Sequence, residues 1–443
     1  MGLAEIAAKR NKQNDSVICR KGITDLVIKR IPFTSPRLNY ITYGGVPRGR
    51  MTMFAGKESS GKTTTALDLV KNAQILFKQE YDEEVSKLTK KQKELSQIIA
   101  DKNAKKGEKD RAKKELPEVE ERLAYLKKRG VLQVVYFDAE GTIDRDWASK
   151  LGVDIENLWL FSLHTQTAEQ FLDQVMEVVR DTDEVGLVII DSIAVLVPQI
   201  VHGESFEQKN MGGNAKVVTD FCNEVCPILG KKNIACVIIN QMRDNIGNPY
   251  GDFIIPCGNG LKLACSVIMT FQKGKLLDAA GNEQKNSFET PQGNLVWTRI
   301  QKTKCFKPDR RVGFYSLSYE YGVDVVADVI PMAVDFGVLE KSGAWFKILN
   351  PLNGEYLTYE DGEVIKIQGM ANVVQFLRDN EEVYEFINNY VMAKVNGTDV
   401  LAIDEETDRQ AIETSNKIES GIDVREETTE PIAEIPMDEG AVV

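Results

Sequence analysis

This 443-residue chain has no long apolar run and only two histidines, and a secretion signal is not expected. No stretch reaches the roughly 18 apolar residues of a membrane-spanning helix, so no membrane partner is expected. The N-terminal residues MGLAEIAAKRNKQND contain no apolar signal-peptide core. The seven cysteines form no CxxC pair, and with so few histidines a zinc site is not expected. The cysteines therefore favour reduced, mostly buried thiols in a cytoplasmic protein.

The formal net charge is −12, which at first argues against a nucleic-acid partner. The location of the negative charge changes that conclusion. Residues 402–443 contain 13 acidic and 3 basic residues, so this tail carries −10 of the total. Its weak apolar periodicity predicts an acidic disordered tail. The remaining chain is nearly neutral and can hold a local basic groove for DNA.

Apolar and polar patterning predicts an α/β protein. Short runs rich in branched residues alternate with helical stretches, which is typical of a largely parallel sheet covered by helices on both faces. The predicted strands are Met51–Ala55, Leu132–Phe137, Leu158–Ser162, Gly186–Ile190, Ala235–Asn240 and Ser266–Phe271, followed by two more within residues 294–320. We expect an N-terminal arm at 1–30, a core at 31–348, a small C-terminal region at 349–401 and the tail at 402–443. Helices are expected at residues 324–348 and 363–397.

Residues 79–129 interrupt this pattern with a Lys- and Glu-rich segment. Two helical periodicities flank the sequence NAKKGEKD, which predicts an inserted antiparallel helical hairpin. We expect its turn at Gly107, with Pro117 marking the start of the second helix. The hairpin is either a solvated arm or an arm that grips DNA or a protein partner.

The sequence GKESSGKT, Gly56–Thr63, has the spacing of a phosphate-binding loop between a predicted strand and a predicted helix. Glycines let backbone N–H groups surround phosphates, Lys62 reaches the β- and γ-phosphates, and the Thr63 hydroxyl binds Mg²⁺. ATP and Mg²⁺ are the expected cofactors. The residues expected to contact the nucleotide are Gly56, Glu58, Ser59, Ser60, Gly61, Lys62, Thr63 and Thr64.

Acidic residues end two of the predicted strands. Asp191 follows GLVII and is expected to hold Mg²⁺ through water, since a carboxylate beside a phosphate-binding loop has this role in related ATPases. Asp138 and Glu140 follow LQVVYF, and either carboxylate can orient the attacking water or cap the next helix. Trp147, one helical turn later, is equally compatible with core packing.

Taken together, these motifs resemble the RecA family of recombinases. The segments GKESSGKTT, YFDAEGTID with WASKLGVDIENL, GLVIIDSIAVLVP, INQMRDNIGNP, and GAWF with IQGMANVVQFLRDN occur in the family's order over about residues 30–395. Lys57 replaces a common proline. The resemblance implies that Glu140 activates water and that Asp144 and Trp147 contact the adenine.

The same resemblance implies further catalytic residues. Gln241 matches the glutamine that senses the γ-phosphate and couples it to a DNA-binding loop. Lys302 and Lys304 match lysines that reach the ATP of the neighbouring subunit, which would make hydrolysis depend on assembly. From position alone, these lysines could equally be solvent-exposed residues on one face of a strand.

Two segments match the DNA-binding loops of the family, residues 199–213 and 242–260. Met211 and Ile246 match apolar side chains that separate base triplets, and Arg243 matches a phosphate contact. Asp244 and Asn245 depart from the family pattern. The remaining residues expected at DNA are Gly212, Gly213, Gly247, Gly258 and Asn259.

The resemblance implies an ATP-dependent recombination protein. It would form a helical filament on single-stranded DNA and exchange that strand into duplex DNA, with a loader or a single-strand-binding protein as accessory partners. The short arm at 1–30 would join protomers, and its size together with the inserted hairpin suggests a bacteriophage member acting in an infected bacterial cell. A ring-shaped motor or helicase and an ATP-binding scaffold are the alternatives. The acidic tail would either occupy the DNA groove or aid solubility.

Overall fold

The computed structural model describes residues 28–162, 167–199, 213–243, 255–278, 281–285, 289–351, 353–359 and 361–397, with residues 2–3, 5–6 and 8–9 near the N-terminus. The tail at 402–443 and most of the arm at 1–30 lie outside the described residues. The chain divides into two compact units, Met1–Asp328 and Val329–Val443. The predicted end of the core at residue 348 stays a prediction. None of the described helices combines the length and apolarity needed to cross a membrane.

A nine-stranded sheet forms the centre of the first unit, and a separate two-stranded sheet lies near its start. The strands of this unit are β1 Arg30–Ile31, β2 Val46–Pro47, β3 Met51–Gly56, β4 Gln133–Asp138, β5 Leu158–Ser162, β6 Val185–Asp191, β7 Ala235–Gln241, β8 Val267–Leu277, β9 Gly293–Thr303, β10 Val312–Ser318 and β11 Gly322–Val323. The small sheet pairs β1 with β2, and the large sheet has the strand order β11-β10-β9-β8-β3-β7-β6-β4-β5. In the large sheet β8, β3, β7, β6, β4 and β5 pair parallel to one another, whereas β9, β10 and β11 pair antiparallel with their neighbours. The predicted α/β class with a mostly parallel sheet is confirmed.

Helices cover both faces of this sheet. The helices of this unit begin and end at α1 Pro36–Thr42, α2 Lys62–Ala100, α3 Lys106–Arg129, α4 Arg145–Lys150, α5 Ala168–Asp181, α6 Gly213–Lys232 and α7 Gly258–Ala264, and α8 Val325–Asp335 spans the boundary between the two units. Alternate strand residues enter two buried clusters. Tyr136 and Ile189 pack with residues of α2, whereas Phe137 and Ile190 pack with residues of α5 and α6. Burial on both faces explains why these strands are almost continuously apolar.

The carboxyl ends of β3, β4, β6 and β7 meet at one edge of the sheet. The register pairs Asp138 with Asp191 and Gly56 with Gln241. Ligand sites in open parallel sheets form at this edge, outside the carboxyl ends of the strands. The fold therefore brings the residues that the sequence singled out at separate strand ends to a common location.

The inserted hairpin is an extension of the helix that follows the phosphate-binding loop. α2 continues for 39 residues without interruption, and the turn lies between it and α3. The expectation of a turn at Gly107 was therefore wrong, because Gly107 lies inside α3. Pro117 likewise lies within α3 and does not start it. The hairpin has its own small core, in which Leu95, Ala112 and Val119 are buried.

The second unit contains helices and a small antiparallel sheet. Its elements are β12 Leu339–Ser342, β13 Trp345–Asn350, β14 Glu355–Tyr356, β15 Lys366–Gln368, α9 Met370–Asp379 and α10 Glu381–Asn396. The C-terminal helical region is confirmed by α9 and α10. The expectation of helix up to residue 348 was wrong, because β12 and β13 pair there. Phe346 and Ile348 are buried at alternate positions, which is the period of a strand.

Candidate active site

The phosphate-binding loop connects β3 to the start of α2. Ser59 and Gly61 have positive φ values of 54° and 91°, and Gly61 caps α2. A side chain at Gly61 would also approach Val296 within 3.0 Å. The backbone therefore turns tightly at this point and directs the free N–H groups of the helix terminus toward the loop.

Lys62 lies buried inside this loop. Its Nζ donates hydrogen bonds to the carbonyl oxygens of Gly56 at 3.1 Å and Lys57 at 2.6 Å. Burial lowers the pKa of the Lys62 ammonium below its usual value, and nearby carboxylates, including Asp191, oppose that change. A buried cation that is held by neutral carbonyls is a suitable partner for phosphate oxygens.

Asp191 receives two hydrogen bonds at the end of β6. Thr63 Oγ1 donates to Asp191 Oδ2 at 2.9 Å, and the Tyr136 hydroxyl donates to the same oxygen at 2.7 Å. Burial raises the pKa of Asp191 from 3.8 to about 6, although both hydrogen bonds lower it. The carboxylate is thus desolvated at a point where a cation would stabilise its ionised form.

The oxygen ligands that Thr63 and Asp191 supply fit Mg²⁺ bound to a nucleoside triphosphate. A hydroxyl and a carboxylate 2.9 Å apart supply the hard oxygen ligands that Mg²⁺ takes. Mg²⁺ usually keeps several waters and few protein ligands, which suits a pair such as Thr63 and Asp191.

The two acidic residues after β4 have different surroundings. Asp138 accepts hydrogen bonds from the N–H groups of Gly141 at 2.8 Å and Ile143 at 3.1 Å, so its carboxylate stabilises the local turn. Glu140 makes no such turn contact, and its Oε1 instead accepts hydrogen bonds from two side chains at the sheet edge. Of these two, Glu140 is therefore the better candidate for acting on water.

Gln241 and Ser192 hold the Glu140 carboxylate. Gln241 Nε2 donates to Glu140 Oε1 at 3.0 Å, and the Ser192 hydroxyl donates to the same oxygen. Gln241 ends β7, and the N–H of the next residue, Met242, donates to Gly56 O at 3.0 Å. The last residue before the second predicted DNA loop is thus hydrogen-bonded to the carboxylate, and the first residue of that loop is hydrogen-bonded to the phosphate-binding loop.

The residues expected at adenine have ordinary structural roles in the chain alone. Asp144 caps α4, because its Oδ1 accepts hydrogen bonds from the N–H groups of Asp146 at 2.8 Å and Trp147 at 3.0 Å. Trp147 is half-buried and packs against the core on the α2 face of the sheet. Their contact with adenine stays a prediction.

Lys302 and Lys304 lie at the other end of the sheet from the phosphate-binding loop. The register aligns Lys302 with Ile268 on β8 and, through it, with Met53 near the start of β3. Both ammonium groups donate to the carbonyl oxygen of Leu263 at the end of α7, at 3.3 Å and 2.8 Å. Within one protomer, these lysines are therefore separated from the site that Lys62 and Asp191 form.

The predicted DNA-binding residues are described only in part. Arg243 is exposed directly after β7. Gly213 begins α6, and Gly258 and Asn259 begin α7. A side chain at Gly258 would approach the Ala215 Cβ within 3.0 Å, so the helices that follow the two loops pack closely. The residues that lie outside the described ranges are Met211, Gly212, Ile246 and Gly247.

Sequence reasoning missed Tyr136 and Ser192. Both side chains contact a carboxylate of the site, at Asp191 and Glu140 respectively. The available signal for Tyr136 was a tyrosine within an apolar strand, since a buried tyrosine hydroxyl usually needs a hydrogen-bond partner. Ser192 gave no comparable signal beyond its place after Asp191.

Comparisons with known proteins agree with this geometry. The model of the RecA N-terminal domain matches residues 120–324 and that of the RecA C-terminal domain matches residues 327–396. The first match begins within α3, so the phosphate-binding loop precedes it and rests on its own geometry.

Several relatives carry the name Protein RecA, and three of them illustrate the similarity. The protein from Chlorobaculum parvum is 28% identical over 373 residues, which cover 84% of this chain and 85% of that protein. The protein from Thermus aquaticus is 28% identical over 82% of this chain and 84% of its own length. The protein from Ruminococcus albus is 27% identical over 83% and 73%, respectively. None of these is a bacteriophage protein, so the expected bacteriophage origin has no support here. The two domain matches together span more than half of the sequence, and this chain belongs to the RecA family.

Proposed function

We propose that this protein is an ATP-dependent recombinase that forms filaments on single-stranded DNA and exchanges that strand into homologous duplex DNA. The observation that carries the proposal is the hydrogen bond between Gln241 and Glu140, 3.0 Å long. It joins the residue that directly precedes a predicted DNA loop to the carboxylate that would act on water. A DNA-dependent ATPase needs such a connection between its two sites.

ATP hydrolysis would use residues from four strand ends, those of β3, β4, β6 and β7. Lys62 would bind the β- and γ-phosphate oxygens, while Thr63 and Asp191 would hold Mg²⁺, which neutralises charge on the phosphates. Glu140 would accept a proton from the attacking water. Ser192 and Gln241 would orient the carboxylate of Glu140 through their hydrogen bonds. The phosphate-binding loop would keep the reacting groups in a fixed geometry, which is most of what catalysis of phosphoryl transfer requires.

DNA would act on this reaction through Gln241. Binding of a DNA strand by residues 242–260 would change the position of Gln241 and, through it, that of Glu140. Lys302 and Lys304 lie away from the phosphate-binding loop of their own protomer. We therefore expect them to act on the ATP of the next subunit. Hydrolysis would then require assembly, as it does where an arginine finger is supplied in trans.

The same arrangement supports an assembly of many copies on DNA. Backbone N–H groups at the glycines of the two loops would contact phosphates and position the strand without reading its sequence. Met211 and Ile246 would separate groups of bases. Watson–Crick pairing between the bound strand and a duplex would supply specificity. A loader or a single-strand-binding protein would act before assembly.

The test is ATP hydrolysis with and without single-stranded DNA, with electron microscopy of the same mixtures. We expect hydrolysis that DNA stimulates, helical filaments that need ATP, and loss of hydrolysis in Glu140→Gln with filaments retained. Ser149→Ala, an exposed change on α4, is the control and should behave as wild type. Closed rings in place of filaments would favour a motor, and hydrolysis indifferent to DNA would contradict the proposal.

A further inference from the structure

The inserted hairpin leaves the core at the edge of the sheet opposite the active site. Arg48, which precedes β3, forms an ion pair with Glu80 of α2 at 2.8 Å. Phe77 packs against Gly186 near the start of β6, where a Cβ would lie 2.5 Å from its ring. α2 has therefore reached the amino edge of the sheet by Glu80. The residues that follow, up to Ala100, extend it by about 30 Å at 1.5 Å per residue.

Charge is distributed unevenly along this hairpin. Four acidic residues occur between positions 80 and 84, near the core. The distal half, residues 87–114, is here called the arm tip, and it contains ten lysines and one arginine against four acidic residues. The basic residues are Lys87, Lys90, Lys91, Lys93, Lys102, Lys105, Lys106, Lys109, Arg111, Lys113 and Lys114. A chain whose net charge is −12 thus concentrates positive charge at the end of a projecting arm.

Almost all of this positive charge faces solvent. Ten of the eleven basic side chains are exposed, and Lys109 is half-buried. Lys91 and Arg111 both form ion pairs with Glu115, at 3.2 Å and 3.0 Å. Among the residues that the structure describes, the other nine lysines of the arm tip take part in no ion pair. Their ammonium groups are available to a polyanion.

Apart from Lys91, which pairs with Glu115 across the hairpin, and Arg111, the charge of the arm tip does not stabilise the hairpin itself. Lys105 caps α3 without a side-chain hydrogen bond, and Lys106 and Lys109 follow in its first turn. Positive charge at a helix N-terminus is unfavourable, because the helix dipole is positive there. Ordinary packing of Leu95, Ala112 and Val119 holds the two helices together. The basic residues therefore need an explanation other than folding.

From this placement, we propose that the arm tip binds the phosphate backbone of duplex DNA. Dense, exposed lysines neutralise phosphates and release counterions without reading the sequence. Residues 87–114 contain no aromatic residue, whereas surfaces that bind single strands stack bases on aromatic rings. Phosphate contact without base stacking fits a duplex better than an unpaired strand.

The arm tip and the strand ends that lead into the two predicted DNA loops lie at opposite edges of the sheet. The loops follow β6 and β7 at the carboxyl edge, where Asp191 and Gln241 lie, and the hairpin leaves from the amino edge. The arm tip would thus bind a different segment of DNA from the one at the loops. This inference does not require that the protein exchange strands.

The test is the affinity for a 30-base-pair duplex, measured by fluorescence anisotropy without nucleotide over a range of salt concentrations. In one variant of the full-length chain, Lys102, Lys105, Lys106 and Lys109 are all changed to alanine. We expect at least tenfold weaker binding at 0.1 M salt and a dependence of log K on log salt shallower by about 2 to 4, since each phosphate contact contributes about 0.9. Alanine in the first turn of α3 should not unfold the hairpin.

Two further measurements make the result decisive. The matched control changes the same four lysines to arginine, which keeps the charge and should retain duplex binding. ATP hydrolysis stimulated by single-stranded DNA should be unchanged in both variants, so failure of this inference is distinguishable from failure of the proposed function. Duplex binding by the alanine variant equal to that of wild type would overturn the inference. Tighter binding by the alanine variant would also overturn it.

Discussion

Replacing Asp191 with asparagine should stabilise the metal-free protein while it abolishes Mg²⁺-dependent nucleotide binding. Burial raises the pKa of the Asp191 carboxyl from 3.8 to about 6 in the folded chain. The unfolded chain releases this proton near pH 4, so folding becomes less favourable as the pH rises from about 4 to about 6. Above pH 6 the carboxylate is ionised in both states, and the whole cost of burying it is present.

The expected size of this effect follows from the pKa. One pKa unit corresponds to about 1.4 kcal/mol, so the change from 3.8 to about 6 costs the native state about 3 kcal/mol above pH 6. Asparagine carries no charge and its carbonyl oxygen can still accept from Tyr136 and Thr63. Its amide group needs a new partner, which offsets about 1 kcal/mol. We expect Asp191→Asn to be about 2 kcal/mol more stable than wild type at pH 8, with the gain shrinking toward pH 4.

The assay is unfolding by urea in EDTA at several pH values from 5 to 8, followed by circular dichroism. Asp82→Asn, an exposed change on α2, is the control and should alter stability by less than about 0.5 kcal/mol at every pH. The same Asp191 variant should lose Mg²⁺-dependent nucleotide binding by calorimetry. A variant less stable than wild type at pH 8, or a gain that does not vary with pH, would refute the reasoning.

Four other variants test separate parts of the structure. Gln241→Ala removes the 3.0 Å hydrogen bond to the active-site glutamate, so nucleotide binding should persist while stimulation of hydrolysis by DNA falls at least tenfold in a steady-state assay. Gly260→Ala places a Cβ 2.1 Å from a threonine hydroxyl of α6, so the free energy of unfolding measured in urea should fall by about 1 to 3 kcal/mol. Gly107→Ala meets open space in α3, so its free energy of unfolding should rise by about 0.5 to 1 kcal/mol. Lys302→Met with Lys304→Met should leave nucleotide binding by the protomer intact and abolish hydrolysis in the assembly; unchanged hydrolysis would contradict action across subunits.

The sequence predicted best what depends on neighbouring residues. The phosphate-binding loop is recognisable because Gly56, Lys62 and Thr63 are fixed by spacing and local backbone geometry. The strands of the core could be predicted because burial on both faces makes them continuously apolar. The meeting of Asp191 and Glu140 followed from a general property of parallel sheets, which is that the carboxyl ends of their strands share an edge.

The features that sequence reasoning missed depend on the register between strands or on whether a helix continues without interruption. The contact between Tyr136 and Asp191 requires the alignment of β4 with β6, which neither strand specifies alone. The change in composition at residue 79 hid the fact that α2 is continuous, because a helix can leave a core without altering its backbone. β14 and β15 contain only two and three residues, too few for an alternating pattern to be visible.

Strand exchange itself is the most direct test of the central claim. A labelled single strand would be incubated with ATP, Mg²⁺ and the protein, followed by a homologous or a heterologous duplex, and displaced strands would be separated by electrophoresis. The account predicts ATP-dependent displacement with the homologous duplex alone, and none with Lys62→Ala. Filaments and DNA-stimulated hydrolysis without any displacement, or equal displacement with the heterologous duplex, would contradict the assignment as a recombinase.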